Sequence, residues 1–181
     1  MKMILLCTVA ACAGATHAGF FSEFENNNTL ALANYLGSIG APGGSFVIEG
    51  SIGDSDVDWF SFTLDNDASL SFFSVFGSNN GDGVMQIVAA GGDVIAFDDD
   101  SGVGFMPALQ IENLTAGTYY IGLSGFDDVD DTSVASDELA DGIGHNQNFT
   151  YKLNAGFSVV PAPGAVALFG MGGIMMTKRR R

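Results

Sequence analysis

The sequence predicts an all-β fold, a sandwich of about eight short strands, on three observations. Strand-length runs of β-branched and aromatic residues are set apart by clusters of Gly, Asp and Asn that favour turns. Where alternation is clean it has a period of two, the mark of a sheet wet on one face. Between an N-terminal signal peptide and a C-terminal hydrophobic sorting helix, helical spacing has room at one place only, Thr29–Leu36, with Asn28 as a candidate N-cap.

Taken in order, the predicted strands are Ser45–Ile52, Asp58–Leu64, Ser69–Phe76, Val84–Ala89, Val94–Phe97, Ala108–Glu112, Gly117–Ser124 and Asn148–Asn154. In the second, Phe60, Phe62 and Leu64 face one way while Trp59, Ser61 and Thr63 face the other. In the last, Phe149, Tyr151 and Leu153 oppose Thr150 and Lys152. Turn signals recur at Gly53-Asp54, Asp65-Asn66, Asn79-Asn80-Gly81, Gly91-Gly92 and Ala116-Gly117. That spacing argues for two packed sheets. The acid-rich stretch from Asp127 to Gly144 has no aromatic residue and reads as a long solvated loop before the last strand. His145, just beyond it, reads as a solvated loop histidine.

The two ends read as export and sorting signals. Met1-Lys2, the apolar run Met3 to Ala13 and the small-x-small step Thr16-His17-Ala18 make residues 1–18 a signal peptide cut after Ala18. A rival reading takes Val9-Ala10-Ala11-Cys12 as a lipobox with Cys12 lipidated. At the other end, Pro161-Ala162-Pro163-Gly164 leads into an uncharged apolar run that stops at Lys178-Arg179-Arg180-Arg181. Terminal cations held on the cytoplasmic side are how a membrane stop is written. As a helix, Gly164 to Thr177 would span roughly 21 Å, short of a hydrocarbon core of about 30 Å. A transient stop fits that length better than a permanent tail anchor.

Removing both signals leaves one domain-sized piece, residues 19–157, before a sorting segment at 158–181. All 21 acidic residues lie between Gly19 and Val160, with Lys152 as the only Lys or Arg, so this piece carries a net charge of −20. That sign excludes nucleic acid, whose phosphates need a basic surface. A charge so large repels itself in the compact state and requires counter-ions. Either many monovalent ions screen it, or a few divalent cations bind at defined places. Both cysteines, Cys7 and Cys12, fall in the export signal, so the mature piece has no disulfide to staple it. Bound Ca²⁺ is the obvious substitute.

Asp54, Asp56 and Asp58 stand at alternate positions, which on an extended segment would put three carboxylates on one face. Ca²⁺ takes six to eight oxygens at about 2.3–2.6 Å. An EF-hand does not fit, because Trp59 occupies the position that needs Gly. Asp98-Asp99-Asp100-Ser101-Gly102 is a second candidate, with a capped β-turn as its alternative reading. No nucleophile, zinc or phosphate-loop motif is present, which argues against an enzyme. Paired carboxylates leave a glycoside hydrolase formally open. Trp59, Tyr119 and Tyr120 are the candidates for stacking on sugar, with core packing as the simpler role.

Residues 46–64 (FVIEGSIGDSDVDWFSFTL), 94–102 (VIAFDDDSG) and 116–124 (AGTYYIGLS) follow one another as in bacterial pre-peptidase C-terminal domains, which this chain resembles over about Glu23 to Phe157. The resemblance implies a jelly-roll-like sandwich. In calcium-binding relatives an E-x-E-x-N-N stretch and an Asp-rich loop supply ligands. It therefore implies a site of Glu23, Glu25, Asn27 and Asn28 with Asp54, Asp56 and Asp58. The C-terminal layout resembles the PEP-CTERM sorting signal, with Ala162 where that motif has glutamate. It implies an exosortase-type membrane transpeptidase and signal peptidase as partners, transient membrane insertion, and a place in the envelope or outside the cell. Polysaccharide or matrix proteins are the further partners such a module would meet.

Overall fold

The computed structural model describes residues 17–40, 42–78, 80–126 and 145–159. Among these, ten strands form two five-stranded sheets: β1 (His17–Ser22), β2 (Asn34–Ile39), β3 (Gly43–Ile52), β4 (Val57–Leu64), β5 (Ala68–Phe76), β6 (Gly83–Ala89), β7 (Val94–Asp98), β8 (Ala108–Leu114), β9 (Gly117–Gly125) and β10 (Phe149–Val159). One sheet runs β1-β3-β10-β5-β8 and the other β2-β4-β9-β6-β7. Each is mixed: β1 pairs with β3, and β2 with β4, in parallel, while every other pair is antiparallel.

The alternation in the sequence sets the inner faces. Phe60, Phe62 and Leu64 of β4, Met85 and Ile87 of β6, and Ile121 and Leu123 of β9 meet Phe46, Ile48, Leu70, Phe72, Leu153 and Phe157 of the facing sheet in one core. Phe62 lies at its aromatic centre, with ring centroids 5.4–6.0 Å from those of Phe72, Tyr119 and Phe157. Outward-facing Trp59 joins Val57, Val84 and Val88 in a smaller cluster, with Leu30 and Ala33 packed against it.

All eight predicted strands are present, and two more precede them. The helix expected over Thr29–Leu36 is absent. A single 3-10 turn at Leu30–Leu32, with no buried residue, gives way to β2. Asn28, the expected cap, commits its side chain to Asp56, 2.9 Å away. The turn thus has no side-chain cap and no fully buried residue to hold a longer helix.

The predicted cleavage after Ala18 falls within β1. β10 runs past the predicted boundary at residue 157, through Ser158 and Val159. Most of the predicted signal peptide, the Asp127–Gly144 stretch and the sorting residues Pro161 to Arg181 lie outside the described residues. Among the described residues, no helix is long and apolar enough to cross a membrane.

Candidate metal site

Parallel pairing creates the site. Because β1 and β3 run the same way, the segments following them emerge at the same pole of the sandwich. The segment after β1, residues 23–33, crosses to the second sheet there. It lies against the start of β4, where Trp59 N donates to Asn27 O at 3.0 Å. Residues 23–28 are thus laid beside the 53–56 bend between β3 and β4.

Glu23, Glu25 and Asp58 each turn a carboxylate oxygen to one place, all within 4.8 Å of one another. Asp58 is fully buried, the inward position of β4 that precedes Phe60 in the alternation. Its Oδ2 accepts from the buried Tyr151 hydroxyl at 2.6 Å, a bond from β10 that links the two sheets. Glu23 Oε2 accepts from Ser51 N at 2.6 Å. Gly50 makes both approaches possible, since a Cβ there would collide with the Glu23 carboxylate and the Tyr151 hydroxyl.

The electrostatics are those of carboxylates crowded together with no positive side chain among them. Burial, then the Glu23 charge, push Asp58 up to about 9, against the lowering effect of Tyr151. Glu25 is raised to about 7 by desolvation and by repulsion from Asp56 and Glu23. Burial and the Asp58 charge raise Tyr151 above its usual value. Meanwhile Glu23 Oε1, Asn27 Oδ1, Asn28 Oδ1 and Asp58 Oδ1 are buried with no hydrogen-bond partner. Native proteins satisfy nearly all such atoms, so four in residues 23–28 and 58 call for a ligand. Carboxylate and amide oxygens without nitrogen or sulfur suit a hard cation such as Ca²⁺. The residues present fit that ion.

Not every predicted ligand belongs to the group. Ser55 has φ 57°, so the 54–58 segment is bent rather than extended and the three aspartates do not share a face. Asp54 stands exposed in the turn. Asp56 Oδ1 accepts from Asn28 Nδ2, and its Oδ2 accepts from Gly53 N at 3.1 Å, which makes it a brace beside the cluster. Asp98, Asp99 and Asp100 follow the turn reading. Asp98 accepts from Ser101 N at 3.0 Å, Ser101 Oγ at 2.5 Å and Ala108 N at 2.7 Å, while Asp99 Oδ1 accepts from Asp100 N at 2.8 Å. Tyr151 was hidden by its clean alternation, which marks a core aromatic as well as a donor. An isolated glycine inside a strand, as at Gly50, is the signal that a close approach was coming. His145 is not a solvated loop residue: it is 3% exposed and bonded to the Asp56 carbonyl at 2.8 Å.

Fold and site together define a two-sheet β-sandwich with a cluster of acidic side chains at one pole. The profile of the bacterial pre-peptidase C-terminal domain family matches residues 56–125, which hold Asp56 and Asp58 but not Glu23–Asn28. Among solved structures, the pre-peptidase C-terminal domain of a collagenase from Bacillus anthracis is similar at a TM-score of 0.47 and 17% identity, covering 68% of this chain and 93% of that one. PliG, a periplasmic inhibitor of g-type lysozyme from Aeromonas hydrophila, gives 0.42 and 12%, covering 70% and 99%. CorA, a surface-associated copper-binding protein of Methylomicrobium album BG8, gives 0.38 and 11%, covering 81% and 99%. No curated protein matches the chain.

Proposed function

We propose that this chain is an exported, non-catalytic, jelly-roll-like sandwich, stabilised by Ca²⁺ at its acidic pole. The convergence of Glu23, Glu25 and Asp58 carries the reading, together with the unpartnered buried oxygens on Glu23, Asn27, Asn28 and Asp58. The protein works in the envelope or outside the cell, held transiently by residues 158–181 until an exosortase-type enzyme processes them.

The glycan-binding alternative requires a row of exposed aromatics on one sheet face. Trp59 and Tyr119 are buried instead, and among the described residues the exposed rings are dispersed: Phe20 on β1, Tyr35 on β2, and Phe24, Phe105 and Phe126 in connections. Those positions favour the structural reading over a stacking platform.

Two measurements test the two halves. For the cation, thermal melting in Ca²⁺ and in EGTA at fixed ionic strength should differ by on the order of 5 °C at calcium about ten times Kd, where binding adds about 1.4 kcal/mol. An unchanged Tm would sink the calcium half. For sorting, intact mass from medium and from cells should show a chain beginning at Gly19 and shortened near Pro161. A chain keeping its terminal arginines in every fraction would overturn that half.

A further inference from the structure

We propose that His145 is a positioning residue for the cation site, acting through the backbone of Asp56; this rests on the calcium reading above. Asp56 is the hub of the pole. Its carbonyl accepts from His145 Nε2 at 2.8 Å and from Ser124 Oγ at 2.9 Å, while its carboxylate takes Gly53 N and Asn28 Nδ2. Gln147 N donates to His145 Nδ1 at 3.3 Å, which leaves the ring proton on Nε2 to donate to Asp56. With both lone pairs of its carbonyl engaged, Asp56 serves the site by holding a bend rather than by offering that oxygen.

The chain of consequence runs outward from there. The bend contains Ser55 in a left-handed conformation, which is uncommon for a residue other than glycine. Two residues beyond Asp56, Asp58 enters the cluster. On the other side, Asn28 spends the donor end of its amide on Asp56, so its acceptor end, buried and unpartnered, is what remains for a ligand. His145 stands outside the carboxylate group, so its part is orientation and not ligation. Its ring packs on Gly125, where a Cβ would strike Nδ1.

The experiment is calorimetric titration of the full chain with CaCl₂, at one pH and well below the melting temperature, for wild type, H145A and H145Q. Loss of one hydrogen bond that orients ligands should raise the Kd of H145A about tenfold. H145Q, whose amide N–H can donate to the same carbonyl, should stay within about threefold. Packing alone would lower the Tm of H145A in EGTA and leave Kd unchanged, and that result overturns the proposal. An H145Q as weak as H145A overturns it too. If H145A does not fold, S124A removes the other donor to Asp56: a raised Kd supports the proposal and an unchanged one overturns it. No binding by wild type would instead sink the calcium reading, and this inference with it.

Discussion

Asp58 sits where the alternation of β4 would otherwise place another apolar side chain, ahead of Phe60, Phe62 and Leu64. Buried beside Glu23, it ionises near pH 9 in the absence of a cation, and Glu25 near pH 7. In the unfolded chain both ionise near pH 4. Between those values the native state keeps protons that the unfolded chain has lost, so stability falls as pH rises through the window. The EGTA-treated protein should therefore melt progressively lower from pH 6 to pH 9, with saturating Ca²⁺ flattening the slope. Asp58→Asn keeps an acceptor for the Tyr151 hydroxyl and removes the buried charge. It should raise the Tm in EGTA at pH 8 and abolish the calcium shift, as read by thermal melting. A wild-type slope persisting in that variant would show that the pH dependence arises elsewhere.

At the level of elements, the strands that bury a clean alternating face were legible and the edges were not. β10 extends five residues beyond its predicted end because Ala155 and Phe157 continue the inward face, while Gly156 breaks the pattern to the eye. β1 overlaps the small-x-small step at His17-Ala18, which in sequence looks like a cleavage site because it closely follows an apolar run. Its inward Phe21 meets Phe46 edge-on at 5.2 Å, a tertiary contact that no local pattern encodes. β2 carries a glycine and a register shift between Tyr35 and Ser38, so its period of two is broken. Both are edge strands that pair in parallel with strands distant in sequence. The site shows the same division. Glu23, Glu25, Asn27, Asn28, Asp56 and Asp58 were legible from motif resemblance, but their meeting depends on that parallel pairing. Asp54 was misplaced because one left-handed residue, Ser55, undoes the period-two geometry. Tyr151 and His145 were illegible, because their partners lie 93 and 89 residues away.

Over the whole molecule the register separates two poles. β1 begins at His17 opposite Gly44, and β10 ends at Val159 opposite Ala68, so both ends of the described domain emerge together. The acidic cluster lies at the other pole, eight strand residues back along β10 at Tyr151, or roughly 26 Å. If residues 158–181 tether the protein, the acidic pole points away from the tether. The remaining question is how a net charge of −20 is held, with Lys152 as the only Lys or Arg between Gly19 and Val160. That lysine pairs with Glu49 at an exposed position, which contributes little. Diffuse screening and site binding respond differently to salt. In 1 M NaCl the screening length is about 3 Å, so repulsion between exposed carboxylates is largely gone. The Glu23–Glu25–Asp58 group includes a fully buried carboxylate and oxygens within 4.8 Å of one another, which bulk sodium cannot separate or replace. The Tm in EGTA should rise with NaCl and level off, and saturating CaCl₂ should then add a further rise in 1 M NaCl of the same order as at low salt. Mg²⁺ at the same concentration should add less, because it demands shorter, octahedral coordination and gives up water reluctantly. Should the calcium increment vanish once sodium has levelled the curve, the charge is neutralised diffusely and the pole is three neighbouring acids without an ion of their own.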